Sequence, residues 1–142
     1  PGNKKGGITT LEEKSLGCIE KAGATKIVDV LSYGEPVKKQ GVSTLNAPGN
    51  DLIAATALAA SGAQIVLFTT GRGTPFSTFV PTLKIASNNK LAEYKENWID
   101  FNAYPMDESG LYAAVLSCVN GEKKAKSEDE REIAFYKTGV TL

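Results

Sequence analysis

Histidine is absent from this 142-residue chain, and cysteine occurs only twice. Without an imidazole the chain has no Ser–His or Cys–His nucleophile pair, no histidine metal ligand and none of the usual proton carriers of neutral pH. Cys18 and Cys118 lie far apart in the sequence and form no Cys-x-x-Cys pair. This pattern is typical of small buried side chains in a reducing compartment. We therefore expect no disulfide and a cytoplasmic location.

Net charge and long apolar runs are also missing. Sixteen basic side chains balance sixteen acidic ones, so no overall field attracts nucleic acid or anionic lipid. The longest apolar stretch, 52–67, is interrupted by polar residues and falls short of the roughly 20 residues that span a bilayer. We expect neither a nucleic-acid partner nor a membrane partner. The composition, 42% hydrophobic and 23% charged, is typical of one ordinary globular domain.

Helix and strand signals alternate along the chain. Helices are predicted after a capping box formed by Thr10 and Glu13, and over 51–60, 90–97 and 107–120. Strands are predicted over 26–31, 64–69, 83–86 and the terminal 131–142, with 64–69 buried on both faces. Residues 33–41 are interpreted as a loop, and the charged segment 122–132 as a solvated surface. This alternation favours an α/β fold in three layers, with a mainly parallel sheet flanked by helices in a Rossmann-like arrangement.

A glycine-rich turn at the end of the 64–69 strand is the best local signal for a ligand. In open α/β sheets, ligands bind beyond the carboxyl ends of the strands. Two glycines allow backbone amides to turn towards an anion, and Arg72 between them offers a fork of donors suited to a carboxylate or phosphate. The alternative is a tight turn whose arginine pairs with a surface acid. The polar groups concerned are Thr69, Thr70, Gly71, Gly73 and Thr74.

Dinucleotide binding is a weaker interpretation of the same turn. The third glycine of that fingerprint is absent, and no Gly-Lys-Ser/Thr sequence occurs. Three other positions are candidates for chemistry. Asn50 and Asp51 begin a helix, where they either cap it or bind hydroxyls or a metal. Lys84 lies in an apolar strand, either paired at a site or at a sheet edge, and Lys14 lies beside two carboxylates at a helix start, either as an acid/base group or solvated.

These same segments resemble the altronate and galactarate dehydratase family over nearly the whole chain. The resemblance rests on GNKKGGITTLEEKSLGCIEKAG, VDVLSYGEPV, APGNDLIAATALAASGAQIVLFTTGRGTPFSTFVPTLKIASN, WIDFNA and REIAFYKTGVTL. FTTGRGTPF followed by TFVPTLK is nearer to the altronate branch. The resemblance implies that residues 1–142 are the single C-terminal domain of a larger sugar-acid dehydratase. Upstream domains of the same chain would then complete the site, and the fragment alone would be inactive.

The reaction implied by the resemblance is a hydro-lyase reaction, in which D-altronate loses water to give 2-dehydro-3-deoxy-D-gluconate. Dehydration of galactarate is the alternative. The resemblance also implies a divalent metal, Fe²⁺ or Mn²⁺. Because the chain has no histidine, ligands contributed here would be oxygens, with Asp51, Glu12 and Glu13 as candidates. The remaining ligands are expected from the upstream domains.

Roles for the candidate residues follow from the resemblance together with the turn. Arg72 and the amides around it are expected to hold the substrate carboxylate, and the threonine hydroxyls with Asn50 to bind substrate hydroxyls. Lys84 or Lys14 is expected to act as base or to stabilise charge. A hypothesis of another class makes this domain structural, shaping an interface or a homo-oligomer while the upstream domains carry the chemistry.

Overall fold

The computed structural model describes residues 10–20 and 22–136. Its helices are α1 (Leu11–Glu20), α2 (Asp51–Ala60), α3 (Asn89–Tyr94) and α4 (Glu108–Val119). Its strands are β1 (Ile27–Leu31), β2 (Val42–Leu45), β3 (Val66–Thr70), β4 (Thr82–Ala86) and β5 (Phe101–Asn102). In these ranges no helix combines the length and the apolarity that crossing a membrane requires. The predicted helices and the predicted strands at β1, β3 and β4 are confirmed, whereas β2 and β5 were not predicted.

Helix starts are set by side chains that the sequence marks as caps. The Thr10 hydroxyl accepts a hydrogen bond from the Glu13 amide at 3.2 Å, as the capping box predicts. The carboxamide oxygen of Asn50 accepts from an amide of the first turn of α2, and Asn88 and Asp107 do the same for α3 and α4. Each cap satisfies an amide that has no partner within its helix. Local sequence therefore determines where these helices begin.

The described strands form two parallel sheets rather than one. β1 pairs with β2, and β4 lies between β3 and β5. The prediction of an α/β fold with parallel strands is confirmed. The parallel strands lie in two small sheets, because the unpredicted β2 provides the hydrogen-bonding partner of β1, and the Rossmann-like detail is not confirmed.

Helices cover both faces of the β3–β4–β5 sheet. Ala55 of α2 packs with Val66 of β3, whereas Cys118 of α4 packs with Leu83 of β4. Because Val66 pairs with Thr82, the neighbour of Leu83, the two clusters lie on opposite faces. The layers are therefore helix, sheet and helix.

The buried strand is β4 and not β3. Every residue of β4 is buried, whereas β3 alternates and Leu67 is 46% exposed. The prediction that 64–69 is buried on both faces is therefore wrong. The reason is position, since β4 is the central strand and β3 lies at an edge.

The segment that follows α4 also differs from its prediction. Within the charged run 122–132, Ala125 and Ser127 are buried, so this run is not simply a solvated surface. A single bridge joins Arg131 to Ser77, and residues 132–136 form no strand. Phe135 is largely exposed. The predicted packed strand is therefore wrong for 131–136, because small residues rather than the large apolar ones turn inward; residues 137–142 lie outside the described ranges.

Candidate functional site

The glycine turn, defined here as Thr70–Thr74, follows the carboxyl end of β3 and is closed by a side chain of its own. Thr70 Oγ1 accepts hydrogen bonds from the Arg72 amide at 3.2 Å and from the Gly73 amide at 2.9 Å. These two amides therefore point into the turn and are engaged there rather than free for a ligand. The Thr70 hydroxyl is likewise occupied in holding the turn.

Lys95, which the sequence reasoning missed, directly follows α3 and fastens the turn. Its Nζ donates to the carbonyl oxygens of Arg72 at 2.8 Å and Gly73 at 3.1 Å. Gly73 adopts φ +73°, and a Cβ there would come within 3.0 Å of the Lys95 Cδ. The position therefore favours glycine both for its backbone angle and for the close approach of the lysine. No local pattern marks Lys95, because its contact with the turn spans distant parts of the chain.

The Arg72 side chain is exposed at the surface of this fastened turn. Across the described residues its guanidinium forms no ion pair, so the alternative of pairing with a surface acid is not observed. The backbone that carries this guanidinium is held by Thr70 and Lys95. The side chain itself offers a planar fork of donors of the kind that suits a carboxylate. The threonines do not converge around it, because Thr69 and Thr70 are consecutive in β3 and project to opposite faces. Thr74, at the other end of the turn, is half-buried.

Lys84 lies in the middle of β4 and has no exposed surface. Its Nζ donates to the Phe76 carbonyl and, at 3.0 Å, to Ser127 Oγ. It also lies 4.8 Å from the centroid of the Phe76 ring. Lys84 is thus paired and central rather than at a sheet edge. It anchors the chain just beyond the glycine turn, and its ammonium is enclosed by the protein.

Burial lowers the pKa of Lys84 to about 8, because the apolar surroundings disfavour the charged form, and the Asp100 carboxylate partly opposes this effect. The same carboxylate accepts the Lys84 amide at 2.7 Å through Oδ2 and the Lys126 amide at 2.8 Å through Oδ1. Asp100 therefore joins β4 to the segment that carries Ser127.

This pKa predicts that the chain becomes more stable as pH rises from about 8 towards 10.5. In that interval the unfolded chain keeps the Lys84 proton that the folded chain has released, so alkalinity favours folding by at most about 1.4 kcal/mol per pH unit. A neutral amine still has two N–H donors for Phe76 and Ser127. Denaturation of the wild type and of Lys84→Met at several pH values measures the difference. Parallel pH profiles for the two proteins would contradict the prediction.

The remaining predicted site residues lie at helix starts. Asn50 Oδ1 accepts from the Ile53 amide at 3.2 Å, so it caps α2, while Asp51 is exposed in the first turn. Within the described residues no group of three or more potential ligands is placed to hold a metal ion. A metal ligand role for Asp51, Glu12 and Glu13 therefore stays a prediction that depends on ligands from outside the described residues. Lys14 belongs to α1, but its side chain lies outside what the structure describes.

A cavity of about 170 Å³ lies beyond the carboxyl ends of β1 and β2. We call it the tyrosine cavity; its lining residues are Tyr33, Asn46, Ala47, Pro48 and Tyr136. The Tyr136 amide donates to the Tyr33 hydroxyl at 2.9 Å, and the two rings lie 5.4 Å apart. The sequence reasoning missed this cavity because it did not predict β2. The rule that ligands bind at the carboxyl ends of parallel strands would otherwise have indicated it.

Comparisons with known proteins agree over the length of the chain. The family model described as D-galactarate/Altronate dehydratase, C-terminal, matches residues 1–141. All of the chain aligns with altronate dehydratases of Bacillus subtilis (strain 168) at 53% identity and of Escherichia coli (strain K12) at 50%. Galactarate dehydratase (L-threo-forming) of Escherichia coli (strain K12) is 38% identical over 90% of the chain. The chain spans 31%, 30% and 26% of the lengths of these relatives.

Proposed function

The chain belongs to the D-galactarate/altronate dehydratase family, and from this premise we propose that it is the C-terminal part of a hydro-lyase that dehydrates D-altronate. The observation that carries the proposal is the alignment of the whole chain with two altronate dehydratases. Galactarate is the second candidate substrate, because the relative named for it is more distant. Cytoplasmic location and domains upstream in the same protein belong to the same proposal.

The geometry supports a role for Arg72 in binding the substrate carboxylate. Dehydration of a sugar acid removes a weakly acidic proton next to that carboxylate, and negative charge then spreads into an enediolate. A guanidinium held at the carboxylate stabilises this charge as it develops. The bonds from Thr70 and Lys95 keep the turn in place before substrate arrives, which lowers the entropic cost of positioning.

The reaction also needs a group that removes the proton next to the carboxylate. Lys14 remains a candidate base, whereas we assign Lys84 a positioning role, since its ammonium is enclosed and bonded to Phe76. A divalent Fe²⁺ or Mn²⁺ would have its ligands mainly outside the described residues, and no step is assigned to it.

Replacing Arg72 with alanine is expected to lower kcat/KM for D-altronate at least about tenfold, since a charge-assisted bond of roughly 1.5–3 kcal/mol is lost. Because the side chain is exposed, the free energy of unfolding should stay within about 0.5 kcal/mol of the wild type. Steady-state kinetics of the full-length protein with altronate and with galactarate measure the effect.

Arg72→Lys provides the matched control, since it keeps the charge but loses the planar pair of N–H donors that suits a carboxylate. Its activity should lie between those of Arg72→Ala and the wild type. Unchanged kinetics in Arg72→Ala would contradict the binding role. If single replacements of Thr70, Arg72 and Lys84 changed only stability or oligomer size, the domain would be a structural one.

A further inference from the structure

We infer that the tyrosine cavity is a binding site for the hydroxyl groups of a small polyol. The choice of a sugar acid as that polyol rests on the proposed function, whereas the cavity and its chemistry do not. The cavity residues Tyr33, Asn46 and Tyr136 are separate from the glycine turn and from the lysines that hold it.

The lining of the cavity combines flat aromatic faces with uncharged polar groups. Among the described residues that line it, none is acidic or basic. Asn46 is exposed at the rim, and within the described ranges its side-chain amide has no protein partner, so it is open to a ligand as to water. The Tyr33 hydroxyl, which accepts from Tyr136, still has its own proton to donate. A polyol alternates C–H groups, which pack on aromatic faces, with O–H groups, which need such donors and acceptors. An ionic ligand would find no counter-charge here.

The fold places the cavity and the glycine turn on the same side of the molecule, the side of the carboxyl ends of the strands. Pro48 of the cavity lies three residues before the start of α2, which packs against β3 through Leu52 and Ala55. The short connection 61–65 joins the end of α2 to the start of β3, so the helix runs antiparallel to the strand. The beginning of α2 therefore lies on the side of the carboxyl end of β3, where Arg72 is. This side of the molecule thus offers an uncharged polar cavity as well as a cation.

Calorimetric titration of the full-length protein tests the inference. The two probes are D-altronate and the uncharged six-carbon polyol altritol. Asn46→Ala and Tyr33→Phe each remove one polar group and should weaken both probes about fivefold, the loss expected for one hydrogen bond. Arg72→Ala should weaken altronate and leave altritol unchanged. Tyr94→Phe, at a tyrosine that is 84% exposed on α3, is the matched control and should change neither.

Altritol binding that is absent from the wild type, or that is unchanged in both Asn46→Ala and Tyr33→Phe, overturns the inference. Circular dichroism must show that each variant folds like the wild type. Asn46→Ala leaves the Tyr33–Tyr136 hydrogen bond in place, because Asn46 does not contribute to it. If the wild type binds altritol through this cavity but does not dehydrate altronate, the proposed function fails and the binding site stands.

Discussion

Lys84→Ala is expected to lower the free energy of unfolding by about 3 kcal/mol. The replacement removes a side chain with no exposed surface that packs against the Phe76 ring. It also leaves the Phe76 carbonyl and the buried Ser127 hydroxyl without their donor. The gain from no longer burying a charge offsets part of this loss. Urea denaturation of the wild type and the variant measures the difference.

Lys84→Met is the matched variant for separating packing from hydrogen bonding. Methionine keeps most of the apolar stem, so only the lost donors remain, and a cost of about 1–2 kcal/mol is expected. A loss below about 1 kcal/mol in Lys84→Ala would show that the lysine does not anchor Phe76.

Asp100→Ala is expected to destabilise the chain by a similar amount, about 3 kcal/mol, because the carboxylate accepts two main-chain amides. One amide belongs to the buried Lys84 in the central strand, and it loses its acceptor. The other belongs to Lys126, so the segment with Ser127 also loses its attachment to β4. Thermal and urea unfolding give the measurement.

Two controls define this effect. Asp100→Asn keeps one acceptor oxygen and should retain about half of the stability lost in Asp100→Ala. Asp107→Ala removes an exposed cap of α4 and should cost only about 1 kcal/mol. Equal costs for Asp100→Ala and Asp107→Ala would mean that the junction at Asp100 is no stronger than a surface cap. Loss of the Asp100 charge should also lower the pKa of Lys84 further, since that carboxylate now opposes the effect of burial.

Taken together, these bonds describe how the chain holds the segment between β3 and β4. Lys95 fastens the carbonyls at Arg72 and Gly73, and Lys84 fastens the carbonyl at Phe76. Both lysines thus donate to backbone oxygens in the first half of the same segment. For the proposed function, this leaves the Arg72 side chain as the free cation of a turn that is already in place.

The sequence by itself determined the local features of this protein. Capping side chains such as Asn50 and Asn88 marked helix starts, and β-branched or apolar runs marked β1, β3 and β4. The glycines around Arg72 marked a turn at a strand end. The physical reason is that capping, helix periodicity and glycine conformations depend on residues within a few positions of one another.

Only the tertiary structure decided what those features contact. Two strands, β2 and β5, are four and two residues long, too short for a periodic signal. β2 nevertheless pairs with β1 in a separate sheet whose carboxyl ends border the tyrosine cavity, and β5 extends the other sheet. From the sequence alone Lys84 fits either a site or a sheet edge, and its bond to Ser127, distant in sequence, places it in the interior. Pairing of strands and burial of charge are set by such distant contacts, which no local pattern encodes.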